Sequence, residues 1–268
     1  MSFSANWLSL REPFDRRARN GAVLDAVAAW AAARTSVAVV DLACGLGSTL
    51  RALTGRLPAR QSWRLVDNDL SLLARTAPLS RPPELTVTPT PVDLARDLEA
   101  ALDGPIDLVT TSALLDLVSP AWLDRLVTEA GARRLPVYAA LSYDGLATIE
   151  PADTLDSAII EQVNRHQHRD KGFGPALGPD AAGDGPARFE AIGYQVVHGS
   201  SDWVFAPRDT EIQTEVLTGW AAAATEMREV SIGDIIAWLA RRRDHIEAGR
   251  SAMRVGHIDF FAYPIAIR

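Results

Sequence analysis

The segment Ser36-Val-Ala-Val-Val-Asp41 and the turn after it constrain this chain more than any other stretch. An apolar run this short suits a strand buried on both faces of a parallel sheet. It leads at once into Ala43-Cys44-Gly45-Leu46-Gly47, and the residues from Ser48 onward place Leu50, Leu53 and Leu57 at helical spacing. Ser48 is of a type that caps such a helix, and Pro58 helps to close it. The unit therefore reads as strand, glycine turn, helix. Glycines in such a turn supply unusual φ values and let a ligand pass against bare backbone, with helix amides behind it. Open α/β sheets bind their ligands there, just outside the carboxyl ends of the strands.

The alternation continues. Trp63 to Val66 reads as a strand ending in Asp67-Asn68-Asp69, with a helix over Leu70 to Ala77 that Asp69 would cap. Leu85 to Thr88 and Ile106 to Thr111 read as further strands, Val92 to Leu102 and Pro120 to Ala130 as helices, and Pro136 to Ser142 as a fifth strand. Such alternation implies right-handed crossovers and a doubly wound α/β sheet, preceded here by an amphipathic helix over Ala22 to Ala33.

Beyond Tyr143 the rhythm breaks. Asp144 to Asp184 is longer than an ordinary strand-to-helix loop, and holds a helix over Ala152 to His168 and the turn-rich Lys171-Gly-Phe173-Gly-Pro-Ala-Leu-Gly-Pro179. A helix over Gly185 to Ile192 and a strand over Tyr194 to His198 follow. Two more helices, Thr210 to Met227 and Ile232 to Ala248, form a second insertion before a last strand over His257 to Ile267.

Three ligands compete for the glycine turn. A P-loop requires a lysine that the turn lacks. The nicotinamide fingerprint requires a third glycine where Leu50 stands. What remains is Asp41 before the turn and Asp67 at the end of the second strand, about twenty residues on, placed to accept bonds from ribose hydroxyls.

Composition narrows the partners. Over 268 residues, 47% are hydrophobic and 23% charged, with 16 prolines and 18 glycines, which excludes a disordered or collagen-like chain. A formal net charge of −7 gives no general attraction for nucleic-acid phosphates, and the run Arg241-Arg242-Arg243, followed by Asp244 and Glu247, reads as a solvated face. The only cysteine, Cys44, cannot form an internal disulfide and reads as a small packing residue. No apolar run approaches a membrane span, the longest being Val23 to Ala33, and the first residues lack a signal layout, so a cytoplasmic location is expected.

Val39-Val-Asp41-Leu-Ala43-Cys44-Gly45-Leu-Gly47-Ser48 resembles the first motif of the class I S-adenosylmethionine-dependent methyltransferases, and Arg64-Leu-Val-Asp67-Asn68-Asp69 resembles their second. The resemblance covers roughly Val37 to Ser142, and the last strand matches that family's reversed seventh strand. Trp7-Leu-Ser-Leu-Arg11-Glu-Pro-Phe14-Asp15-Arg-Arg-Ala-Arg19 and Asn164-Arg-His166-Gln167-His168-Arg-Asp170-Lys171-Gly-Phe173-Gly174 resemble a less characterised bacterial branch of it. The resemblance implies a seven-stranded, Rossmann-like methyltransferase sheet in one domain over 1–268, with an N-terminal helical flap at 1–35 and lid insertions at 144–184 and 208–255.

It also implies S-adenosylmethionine as the methyl donor, with Ala43, Cys44, Gly45 and Gly47 around its amino-acid end and ribose. Asp41 would lie near its ammonium, Asp67 and Asn68 at the ribose, Asp93 and Leu94 near the adenine, and Ser112 at the end of the fourth strand. Ser112-Ala-Leu-Leu-Asp116 departs from the Asn/Asp-Pro-Pro-Tyr/Phe motif of amino-methylating nucleic-acid enzymes, which argues against that role. Arg11, with Asp15, Arg16 and Arg19, could close over the donor's carboxylate.

The expected partner is a small-molecule acceptor methylated on oxygen, nitrogen or carbon, contacted by Tyr143, Asn164, Gln167, Lys171 and Phe173. His166, His168 and Tyr143 are the candidate general bases. No metal site is expected, because His166 and His168 fall on different helix faces without a cysteine or HExxH pattern. Neither a nucleic-acid nor a membrane partner is expected, and a homodimer is compatible with the insertions. A nicotinamide-dependent oxidoreductase and a non-catalytic binding module remain the alternatives.

Overall fold

The computed structural model describes residues 3–76 and 83–265. Ala77, Ala266 and Ile267, expected at the ends of a helix and of the last strand, lie outside the described residues. The sheet is built from β1 (Ser36–Leu42), β2 (Arg60–Asp67), β3 (Leu85–Pro91), β4 (Leu108–Ser112), β5 (Val137–Glu150), β6 (Tyr194–Ser200), β7 (Trp203–Phe205) and β8 (Ala252–Pro264). Its order is β3-β2-β1-β4-β5-β8-β6, with the short β7 also on β8. β1 to β5 are parallel, and β8 runs antiparallel to β5, β6 and β7. The doubly wound sheet expected from the sequence is present, with β7 as an extra strand. Its direction of winding reverses between β1 and β4, which opens a crevice at their carboxyl ends.

The helices are α1 (Ala5–Ala18), α2 (Gly21–Ala31), α3 (Ser48–Leu53), α4 (Leu70–Thr76), α5 (Leu98–Ala101), α6 (Pro120–Arg133), α7 (Asp156–Gln167), α8 (Ala181–Ala191), α9 (Thr210–Met227) and α10 (Ile232–Glu247). Successive strand residues point to opposite faces, so neighbours on β8 serve different cores. Phe260 joins Leu123, Leu126 and Phe189 on one face, while Phe261 joins Val27, Leu53 and Trp63 on the other.

The two insertions are organised differently from their sequence pattern. β5 continues to Glu150 and β8 begins at Ala252, so the start of 144–184 and the end of 208–255 pair with each other as strands. Two register shifts, between Ala139 and Ser142 and between Tyr143 and Ala147, interrupt the ladder, with Leu141 and Gly145 at positive φ. Those bulges break the period-2 pattern by which a strand is recognised. α7, α9 and α10 pack on the extended strands as a third core around Ile159, Leu217, Trp238 and Val255. Helix limits shift as well. The expected helix at Val92 to Leu102 is helical only over α5, because Asp93 accepts a bond from the Ala95 amide at 3.0 Å and turns the chain. α7 starts four residues late, where Asp153 and Asp156 bond local amides instead.

Residues 3–35 hold the two helices α1 and α2, joined at Arg19 and Asn20. Asp15 on α1 accepts from Trp203 Nε1 at 2.9 Å, and Trp7 and Phe14 meet Trp203 and Phe205 edge to face at 6.2 and 5.0 Å. At the joint between α1 and α2 lies buried Asp259, which accepts from the Asn20 amide at 3.0 Å, the Leu141 amide at 2.8 Å and the Tyr138 hydroxyl at 3.3 Å. Arg19 in turn donates to the Tyr138 oxygen at 3.0 Å. Asp259→Ala is expected to lower unfolding stability by about 3 kcal/mol, since the buried Leu141 amide and the half-buried Asn20 amide lose their acceptor and Arg19 loses its counter-charge. Urea unfolding measures this, and a loss under about 1 kcal/mol contradicts the anchoring role.

Candidate functional site

The turn after β1 has a conformation that few residue types adopt. Ala43, Gly45 and Gly47 all have positive φ, at 53°, 53° and 78°. A Cβ on Gly45 would stand 3.1 Å from Leu8 Cδ1 on α1, so the position needs glycine for space as well as for φ. Gly47 caps α3 without a side-chain bond, and Ser48 does not cap it. The turn is fastened by the Cys44 amide on the Val66 carbonyl at 2.9 Å and by Asp67, whose Oδ2 accepts from the Gly45 amide at 2.9 Å. Asp67 Oδ1 accepts from the Asp69 amide at 3.0 Å. Each carboxylate oxygen keeps a further lone pair.

These residues form one wall of a pocket at the carboxyl edge of the sheet. Asn68 and Leu72 continue the wall from β2, Val92, Asp93 and Leu94 from the segment after β3, and Ser112, Ala113, Leu114 and Leu117 from the segment after β4. Leu8, Arg11, Glu12 and Asp15 of α1 cover one side, and Lys171, Gly172 and Phe173 another. The space, counted with its solvent-filled mouth, is about 1160 Å³. No residue of 208–255 lines it; among the described residues that insertion reaches the site only through its neighbours.

Of the residues singled out in the sequence, Arg11, Ala43, Cys44, Gly45, Asp67, Asn68, Asp93, Leu94, Ser112, Lys171 and Phe173 line this one pocket. Asp41, Gly47, Tyr143, Asn164, His166, Gln167 and His168 lie outside its lining. The Tyr143 hydroxyl donates to Asn164 Oδ1 at 2.7 Å, and Asn164 Nδ2 donates to the Gly145 carbonyl at 3.0 Å, which spends both side chains on the bulge of β5. His168 Nδ1 lies 3.3 Å from the Ala176 carbonyl, and Gln167 ends α7. His166 sits one layer behind the pocket, 3.2 Å from Lys171 Nζ. Burial pushes the Tyr143 hydroxyl and the Cys44 thiol up, so neither ionises near neutrality.

Asp41 lies beneath the turn. Its Oδ1 accepts from Thr110 Oγ1 at 2.8 Å, Oδ2 has no hydrogen-bond partner among the described residues, and burial pushes its carboxyl up to about 7. A second buried carboxyl, Asp116, follows β4 between the pocket residues Leu114 and Leu117. Its Oδ1 also lacks a partner among the described residues, and burial pushes it up to about 6 against the pull of Arg11 and Lys171. Arg19 lies under the floor, donating to Thr49 Oγ1 at 3.3 Å and Ser112 Oγ at 3.4 Å. Asp15 lines the pocket beside Arg11, as the sequence suggests, whereas the cover from Leu8 and Glu12 was missed. The signal was the spacing of Trp7, Leu10 and Phe14, which marks α1 as an amphipathic helix with one face on the protein.

No family model and no curated protein matches the chain. Solved structures do share its fold. A cyclopropane-fatty-acyl-phospholipid synthase-like protein from Lactobacillus casei ATCC 334 is 15% identical over 98% of this chain and 95% of that one, with a TM-score of 0.53. A protein of Bacillus halodurans C-125 proposed to be a methyltransferase is 14% identical over 91% of this chain and 100% of that one, with a TM-score of 0.50. At these identities the likeness is one of fold, and the fold is the Rossmann-like one that the sequence motifs imply.

The state of Asp41 has a consequence for stability. A carboxyl raised from 3.8 to about 7 binds a proton on folding within that window, so its contribution to stability falls as pH rises through it. Asp41→Asn keeps the acceptor for Thr110 and removes the charge. It is expected to leave stability near pH 4 unchanged and to raise it near pH 8 by on the order of a few kcal/mol. Urea unfolding at both pH values checks this, and an equal change at both contradicts a desolvated Asp41.

Proposed function

We propose that this chain is an enzyme that transfers a methyl group from S-adenosylmethionine to a small-molecule acceptor in the pocket at the carboxyl edge of the sheet. The observation that carries the reading is Asp67, fixed by the amides of Gly45 and Asp69 with lone pairs left for a ribose diol. The rest of the pocket fits the same molecule. Leu46, Leu72, Val92 and Leu94 offer apolar walls beside Asp93 for an adenine ring. Arg11 uses Nε on Asp15 at 2.9 Å, which leaves its terminal nitrogens for a carboxylate. Leu50, where a dinucleotide site needs its third glycine, is buried in the core of α3, so the nicotinamide alternative gains nothing.

When bound, the donor supplies a sulfonium methyl that an acceptor atom can displace in line. The chain's own residues bind, orient and exclude water. α1 and the Lys171–Phe173 segment close two sides of the space, and such positioning in a dry site accounts for a large share of a displacement barrier. This confinement favours a small acceptor over a polymer, as does the net charge of −7. No described helix is long and apolar enough to cross a membrane. A cytoplasmic setting agrees with a single buried thiol.

Calorimetric titration with S-adenosylhomocysteine tests the reading. The wild-type chain is expected to bind it, and Asp67→Asn to bind about tenfold more weakly, since a charged acceptor for two hydroxyls becomes a neutral one. No binding by the wild-type chain at about 1 mM ligand, an affinity floor of roughly 4 kcal/mol, overturns it.

A further inference from the structure

Of the 27 lysines and arginines, Lys171 alone is a lysine. It is also one of the least exposed cations, at 6%. Elsewhere arginine serves at the surface and in the core, as at Arg19 and Arg242, which are also buried. A lysine at this one position supplies what a guanidinium lacks, an amine that releases its proton when buried.

The loop around it is fixed. Asp170 Oδ1 accepts from the amides of Gly172 at 2.7 Å and Gly174 at 3.0 Å, with both glycines at positive φ. Lys171 Nζ donates to the His166 carbonyl at 2.9 Å and stands 3.2 Å from His166 Nδ1. His166 Nε2 lies 3.1 Å from Glu226 Oε2 on α9. With Nε2 donating to Glu226, Nδ1 is the acceptor that faces Lys171. A neutral amine has two N–H bonds and one lone pair. His166 takes both N–H bonds, and the lone pair is left at a residue that lines the pocket.

We infer that Lys171 is the proton acceptor for the methyl acceptor's nucleophile, held in place by His166 and Glu226, so that the acceptor is a small molecule presenting a proton-bearing oxygen or nitrogen. This rests on the proposed function. In the step, the acceptor atom bonds to the methyl carbon, the carbon–sulfur bond breaks with its electron pair returning to sulfur, and the acceptor's proton passes to Nζ. The site's charge is conserved: the sulfonium becomes a neutral thioether as the amine becomes an ammonium. His166 and Glu226 are positioning residues, and through them α9 of the 208–255 insertion acts on a pocket it does not line.

The groups around Lys171 suit this exchange. Burial lowers its proton affinity, as does Arg169 beyond α7, while Glu226 from α9 and Asp116 after β4 raise it. Arg11 of α1 lines the same pocket. A sulfonium beside it is a further like charge and favours the neutral amine.

A single lysine makes the test direct. Protein labelled with [13C]lysine gives one Cε resonance, followed against pH with S-adenosylhomocysteine and, freshly mixed at each point, with S-adenosylmethionine. Its midpoint is expected below the ordinary value of about 10.4, and lower with the sulfonium than with the thioether by at least about one pH unit. Glu226→Gln, which removes a stabilising negative charge, is expected to lower the midpoint further while leaving S-adenosylhomocysteine affinity within about threefold of wild type. Lys171→Arg is expected to keep that affinity yet incorporate no label from [methyl-3H]S-adenosylmethionine into extract metabolites that the wild type labels. A midpoint equal with both ligands overturns the assignment, as does Lys171→Arg weakening S-adenosylhomocysteine binding as much as Asp67→Asn. Failure of the wild type to bind either ligand overturns the site reading and this assignment together, whereas binding with an unmoved midpoint overturns only the assignment.

Discussion

The carboxylate of Asp67 is the tie on which the site depends. A turn with three residues at positive φ is not held by local preference, and Ala43 pays a steric penalty there of about 1 kcal/mol. It persists because the Gly45 amide lands on Asp67 Oδ2 while Asp69 secures Oδ1 from the other side. The parallel pairing of β1 with β2, Asp41 opposite Leu65, sets the distance between turn and carboxylate. Sheet register thus becomes pocket geometry, and the same bonds leave Asp67 oriented toward the pocket it lines.

A second anchor sets the cover. Arg19, Tyr138 and Asp259 tie the joint of α1 and α2 to β5 and β8, and Trp203 and Phe205 on β7 receive the aromatic face of α1. The additions to the sheet, which line little of the pocket themselves, thereby hold the helix that does. Their influence reaches the ligand space along two routes: Trp203 to Asp15 and Arg11, and Glu226 to His166 and Lys171.

Parts of this were legible in the sequence for clear reasons. β1, β2 and β4 are short apolar runs because parallel strands are buried on both faces, and Gly45 and Gly47 mark the turn because other residues do not fit its backbone. Asp67 was legible from its distance to that turn. The long β5–β8 pairing was not, because the left-handed Leu141 and the bulge at Gly145 scramble the alternation. The oxygens of Asp41 and Asp116 that lack a partner among the described residues are products of tertiary burial and leave no mark in residue spacing. The segment around Tyr143 and Asn164 suggests a substrate role in the sequence, yet their side chains bond each other and the bulge.

The central claim is that the crevice between β1 and β4 holds an adenosyl ligand against the Asp67-fastened turn. A crystal structure of the chain with S-adenosylhomocysteine tests it most directly. The account predicts the ribose hydroxyls on Asp67, the adenine between Leu72, Val92 and Leu94, and the sulfur on the Lys171 side of the pocket. A ligand bound elsewhere, or a pocket left empty at saturating ligand, contradicts it.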